Sequence, residues 1–177
     1  LAARAQADVV LPFFHWGREG WNVPEEYQVR LARVALEAGA AGVLGSHPHV
    51  LQAMELQGGA PVIYSLGNLV FGGNWSPRDK RGALYRARFG PGGYLGSEVV
   101  PLQTDRFPER PMQPVLVEGL AADAVLRHVA LTTVETLEVT QSGALTRQLL
   151  PELMPYAAPG GPLEAAPDAG PAAGSLP

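Results

Sequence analysis

Three of the four histidines stand where a metal ion would want ligands. His15 closes a short apolar run, and His47 and His49 follow another, with only Pro48 between them. Neutral imidazole suits divalent zinc, iron, manganese or nickel, and each ring needs an acceptor for its second nitrogen to fix its tautomer. The chain has no cysteine, so a metal here would be held by imidazole, carboxylate or amide oxygen. In an extended backbone, positions two apart face the same side, so His47 and His49 are expected to aim at one centre while Pro48 stiffens their spacing. On spacing alone the plain alternative stands beside this one, because a His-x-His pair arises by accident in many sequences and a lone strand-end His is ordinarily a surface residue. His128, on an ordinary amphipathic stretch, reads as structural or exposed.

The elements that would position these residues follow from the pattern. Asp8 to Phe14 (DVVLPFF) is a nearly continuous apolar run, expected to form a strand buried on both faces that delivers His15 at its C-terminal end. Pro24 to Ala38 predicts a helix whose apolar face carries Tyr27, Leu31, Val34 and Ala38, with Pro24, Glu25 and Glu26 suited to its start and Gly39 to its stop. Ala41 to Leu44 then reads as a second buried strand that exits at Gly45-Ser46-His47. Strand, helix and strand make a βαβ crossover, right-handed by default. Ligands collect at the carboxyl ends of such strands, because the loops there can carry polar groups that the packed sheet cannot.

Further on, Val50 to Leu56 and Pro61 to Leu66 predict a hairpin across Gly58-Gly59, and Ala83 to Phe89 with Tyr94 to Leu102 predict a second across Gly90 to Gly93. Residues 72–81 read as an exposed loop, about Leu120 to His128 as a helix, and about Thr132 to Val139 as a strand. Between Ala157 and Pro177, Ala, Pro and Gly supply 16 of 21 residues, so 151–177 is expected to be a disordered tail that follows a folded unit over 1–150.

Composition narrows the function classes. Lys and Arg total 13 against 17 for Asp and Glu, a formal net charge of −4, with no basic cluster of the kind phosphate neutralisation needs, so nucleic acid is not an expected partner. No apolar run approaches the roughly 20 residues a membrane-spanning helix requires. The first residue is Leu1, and the opening LAARAQADVVLPFF has no leader pattern. An upstream segment is therefore expected, and any membrane contact would come through an anchor there.

Taken together, His15-Trp16-Gly17, then Gly45-Ser46-His47-Pro48-His49-Val50, then Tyr64-Ser65-Leu66-Gly67-Asn68-Leu69-Val70-Phe71 resemble the C-terminal motif series of the CapA-type capsule and poly-γ-glutamate biosynthesis proteins. That family is itself similar to the calcineurin-like metallophosphoesterases. The likeness runs from about Ala7 to about Pro101. It implies an α/β fold, the C-terminal part of a four-layer α/β/β/α sandwich, with two divalent metal ions (Mn, Fe, Zn or Ni) at the sheet edge. His15 and His47 would hold one metal and His49 the other. Asn68 would serve catalysis, and Trp16, Gly17 and Glu19 would line the substrate side. Two departures stand out. Glu19 is followed by Gly20 where the family carries an aromatic residue, and the family's upstream Gly-Asp, Asn-Leu-Glu and Asn-Asn-His segments are not among these residues. No carboxylate partner for the histidines is expected from the chain itself.

The resemblance implies a metal-dependent hydrolase at the cell surface, acting on an anionic polymer or a phosphoester and completed by the N-terminal half of its domain. The alternative is a non-catalytic polymer-binding or scaffolding component of a membrane-associated assembly. In isolation these residues are expected to behave as a fragment, inactive alone and prone to self-association through an unpaired apolar strand.

Overall fold

The computed structural model describes residues 2–71, 79–104 and 113–140. It is a mixed α/β structure. A four-stranded sheet contains β1 (Phe13–His15), β2 (Val43–Ser46), β3 (Met54–Gln57) and β4 (Ala60–Ile63) in the order β1-β2-β4-β3. A three-stranded antiparallel sheet contains β5 (Arg81–Gly90), β6 (Gly93–Gln103) and β7 (Val115–Leu116). Helix α1 (Glu26–Glu37) connects β1 to β2, and α2 (Gly119–Thr140) follows β7.

The expected crossover is present: β1 and β2 are parallel neighbours, with Phe13 opposite Leu44 and His15 opposite Ser46. One core lies between the first sheet and α1, where Val29 and Ala32 of the helix meet Val43, Val62, Tyr64, Ala53 and Trp16. A second joins the other face, through Met54, Ile63 and Leu44, to Ala83 and Val99 of the second sheet and to Val125 and Val129 of α2. Both hairpins form. Gly58 and Gly59 have φ of 58° and 83°, the pair of positive values that a tight two-residue turn matched to strand twist demands. The β5–β6 pair is long and carries one register irregularity at Arg88/Phe89.

Three expectations are corrected. Helix α1 turns a different face inward: Gln28, Val29 and Ala32 are buried, while Tyr27 and Leu31 are exposed and Val34 is 53% exposed. A polar residue such as Gln28 lies outside any apolar periodicity. Its amide is satisfied in place, accepting from the Glu25 N–H at 2.8 Å and donating to Gln52 Oε1 at 3.1 Å, which lets a polar residue occupy the inner face.

The second correction concerns β1, which is shorter than the run 8–14 and not buried on both faces. The chain ahead of it still follows the sheet, through Ala41 N–H to Val10 O (2.8 Å) and Leu44 N–H to Pro12 O (3.0 Å). As an edge strand it lies beyond the cover that the second sheet and α2 give to β2, β4 and β3, so Val9 and Leu11 are exposed and Phe13 is 66% exposed.

Third, residues 132–139 are helical, as part of the 22-residue α2. Their β-branched residues suggested a strand. Thr132 and Thr133 instead turn their hydroxyls back to the His128 and Val129 carbonyls (3.1 and 2.7 Å), a local bond that β-branched hydroxyl residues use inside helices. Thr133 Oγ1 also accepts from the Met54 N–H at 3.1 Å and lies 3.1 Å from the Met54 carbonyl, which seals the outer edge of β3. The expected loop lies outside the described residues over 72–78, as does the expected tail over 151–177.

Candidate metal centre

The register of the parallel pair brings the first two histidines together. His15 ends β1 opposite Ser46, the last residue of β2, and the Trp16 N–H continues the ladder to the Ser46 carbonyl at 3.0 Å. His47 therefore emerges beside His15, with ring centroids 4.5 Å apart. Ser46 Oγ lies 3.4 Å from His15 Nδ1. His47 and His49 have centroids 5.9 Å apart.

The route to that convergence differs from the expected extended backbone. His47 and His49 have φ of 100° and 58°, the only non-glycine residues with positive φ among those described. A side chain there is crowded against its own backbone, a strain of order 1–3 kcal/mol per residue that tends to collect at functional sites. Two left-handed residues flanking a buried Pro48 fold the triplet back on itself, and this turn, not a pleat, directs both rings to one side.

Asn68 fixes the state of His49. Its Nδ2 donates to the His49 carbonyl at 3.3 Å, which an amide oxygen could not do, so its Oδ1 is the atom 2.7 Å from His49 Nδ1. An acceptor at that distance requires a proton on Nδ1, so in the neutral ring Nε2 carries the lone pair. Asn68 is 7% exposed and uses both ends of its amide in these two bonds. Asn68, expected to serve catalysis, lies against His49 and orients its ring through these contacts. The Phe71 ring flanks His49 at 4.4 Å, a neighbour that the motif contained without a stated role.

The expectation of no carboxylate partner is corrected by Glu19. Donor atoms of Glu19, His47 and His49 all lie within 4.8 Å of one another. Expected on the substrate side, Glu19 is delivered by the β1–α1 loop, which is stitched to the histidine loop through Gly20 N–H to Pro48 O at 2.8 Å. His15 stands beside His47 but outside this three-donor cluster. Fully buried Gln52 ties the same loop down, donating to the Trp21 carbonyl at 2.7 Å while accepting from Gln28. Sequence reading passed over Gln28 and Gln52. Only the glycines bracketing the loop, Gly17 and Gly20, hinted that it turns sharply.

Trp16 and Gly17 sit under the site. Trp16 is 5% exposed, stacks on Phe14 at 4.8 Å and donates its indole N–H to the Tyr64 carbonyl at 2.9 Å, so it is a core residue with no face left for a substrate. Gly45 makes room for it: a Cβ there would sit 2.3 Å from the indole nitrogen and 2.3 Å from the Tyr64 carbonyl. Gly17 has φ 81°, donates its N–H to the Tyr27 hydroxyl, and would bring a Cβ within 2.9 Å of the Gln28 amide. Its part is the turn. Below, the Tyr64 hydroxyl donates to buried Glu55 at 2.7 Å, and burial, then the adjacent carboxylate, push the phenol well above its ordinary range.

Two imidazoles and a carboxylate, with the nitrogens of one ring assigned by an amide clamp, are a donor set that fits a divalent ion of the zinc or manganese kind. Comparison with known proteins bears on what the surrounding chain is. Residues 1–73 match the family described as bacterial capsule synthesis protein PGA_cap. The PGA biosynthesis protein CapA of Bacillus subtilis (strain 168) is 35% identical over 127 residues, which is 72% of this chain and 32% of that protein. The capsule biosynthesis protein CapA of Bacillus anthracis is 36% identical over 113 residues, 64% of this chain and 27% of that protein. The chain thus spans about a third or less of the length of these relatives.

Proposed function

From the premise that the chain belongs to the CapA-type bacterial capsule synthesis family, we propose that it contributes a divalent-metal centre for hydrolytic chemistry in the making of a capsule polymer. The observation that carries this reading is the gathering of Glu19, His47 and His49 donors within 4.8 Å, with His15 beside His47. His47, His49 and Glu19 would hold one ion, and His15, beside His47, would share in a second with it. Such ions supply Lewis acidity and make water a nucleophile at neutral pH. The chain's own residues do the rest. Asn68 holds His49 in the tautomer that presents Nε2, the Gly20–Pro48 and Gln52–Trp21 bonds hold Glu19 near the histidines, and the Phe71 ring packs against His49.

The proposed substrate is an anionic polymer or a phosphoester at the cell surface. Among the described residues no helix is long and apolar enough to cross a membrane. The four-layer α/β/β/α sandwich belongs to the same proposal: α1 and the two sheets would form three of its layers, and a further strand-bearing segment would pair along β1, where Phe13 is exposed.

The test is hydrolysis of phosphodiester and γ-glutamyl substrates by a longer form of the protein, with Mn²⁺ or Zn²⁺ supplied, alongside His47→Ala and His49→Ala. The reading predicts metal-dependent turnover that falls by at least about a hundredfold in each variant. Full activity in both variants would overturn it.

A further inference from the structure

The loop that carries Glu19 to the histidines also lines a cleft of about 630 Å³, with Arg18, Trp21, Asn22, Asp79 and Arg81 around it. Four side chains there are charged, and three of them are already matched. Glu19 belongs to the donor cluster with His47 and His49. Asp79 and Arg81 neutralise each other, with Arg81 Nε and Nη2 donating to the two carboxylate oxygens at 2.8 and 2.7 Å and the Arg81 backbone N–H adding a third bond at 3.0 Å.

Arg18 is the remaining charge. It has no carboxylate partner among the described residues, and its guanidinium lies over the Trp21 ring, 4.6 Å from the centroid. The platform is fixed: the Trp21 carbonyl is held by Gln52, and Gly20 by Pro48. Trp21 is nonetheless 50% exposed. A guanidinium held over a ring by its charge has five N–H donors, more than the ring engages, and the others remain for an oxyanion. A planar fork of donors suits carboxylate and phosphate alike.

We infer that this cleft is an anion subsite: Arg18, braced on Trp21, takes a carboxylate or phosphate group of a ligand whose other end reaches Glu19, His47 and His49. That second attachment rests on the metal centre proposed above. Anion capture by Arg18 does not require the metal. The Trp21 indole offers an apolar surface to the carbon stem that joins the two ends.

The experiment is an NMR shift titration of the whole 177-residue chain, following the Trp21 indole N–H, with inorganic phosphate and separately with glutarate. Each series is run after chelation and again with zinc added. The expected result is saturable binding of at least one anion to the metal-free chain, weakened about tenfold or more by Arg18→Gln and less by Arg18→Lys. Whichever anion binds more tightly identifies the source of the group. Equal affinity in wild type and Arg18→Gln, or no binding of either anion, overturns the subsite. Binding through Arg18 in a chain that takes up no zinc supports the subsite and contradicts the metal centre.

Discussion

Replacing His49 by alanine and by glycine separates what its ring does from what its backbone endures. Both variants lose the 2.7 Å bond to Asn68 and leave that buried amide oxygen short of a donor, so this loss, about 1–3 kcal/mol, is common to the pair. Alanine keeps the crowding at φ 58°, worth about 1–2 kcal/mol for a residue with a Cβ, whereas glycine adopts that conformation freely. Against this, glycine loses about 0.5–1 kcal/mol more conformational freedom on folding. The difference leaves His49→Gly more stable than His49→Ala by about 0.5–1 kcal/mol, or about 2–4 °C in Tm per kcal/mol for a chain of this size. At His47, where φ is 100°, the same comparison should show a larger gap. Urea denaturation followed by circular dichroism reads both pairs. Alanine variants as stable as the glycine variants would refute the idea that the two ligand positions are strained.

Other consequences follow from single contacts. Gly45→Ala forces a Cβ into the indole of Trp16 and the Tyr64 backbone and should cost at least about 2–3 kcal/mol; unchanged denaturant stability would mean that Trp16 does not cross β2 there. Thr133→Val removes the acceptor of the Met54 N–H at the edge of β3 and should cost about 1–3 kcal/mol, with faster hydrogen exchange at Met54 as its local signature. Burial alone would raise the Asp79 carboxyl, but the hydrogen bonds and charge of Arg81, with His128 nearby, outweigh it and hold the group below its ordinary 3.8. A depressed carboxyl contributes stability above the unfolded-state value and loses it as pH falls through the folded one, so wild type should lose more stability than Asp79→Asn between pH 5 and the acid limb. Parallel curves would count against that pair.

Much of the site was legible because it depends on local rules. Histidines at the exits of two parallel strands must meet if the strands are neighbours, and two consecutive glycines between apolar runs make a tight hairpin. What escaped the sequence depends on contacts between distant residues. Gln28 is buried because Gln52, 24 positions away, receives its amide. Glu19 reaches the histidines because one backbone bond from Gly20 to Pro48 closes the loop over them. Apolar residues of the β1 run stay exposed because the cover from α2 and the second sheet ends before that edge. Thr132 and Thr133 sit in a helix despite their strand preference, their hydroxyls bonded to the preceding turn and Thr133 also to Met54 of β3.

The central claim, that Glu19, His47 and His49 form a metal centre, is tested most directly by X-ray absorption spectroscopy of the zinc-loaded chain, wild type beside His49→Ala and Glu19→Gln. The account predicts a first shell with imidazole scattering near 2.0 Å that loses one imidazole in His49→Ala and one oxygen in Glu19→Gln. A zinc spectrum without imidazole, or one that both substitutions leave unchanged, would contradict it.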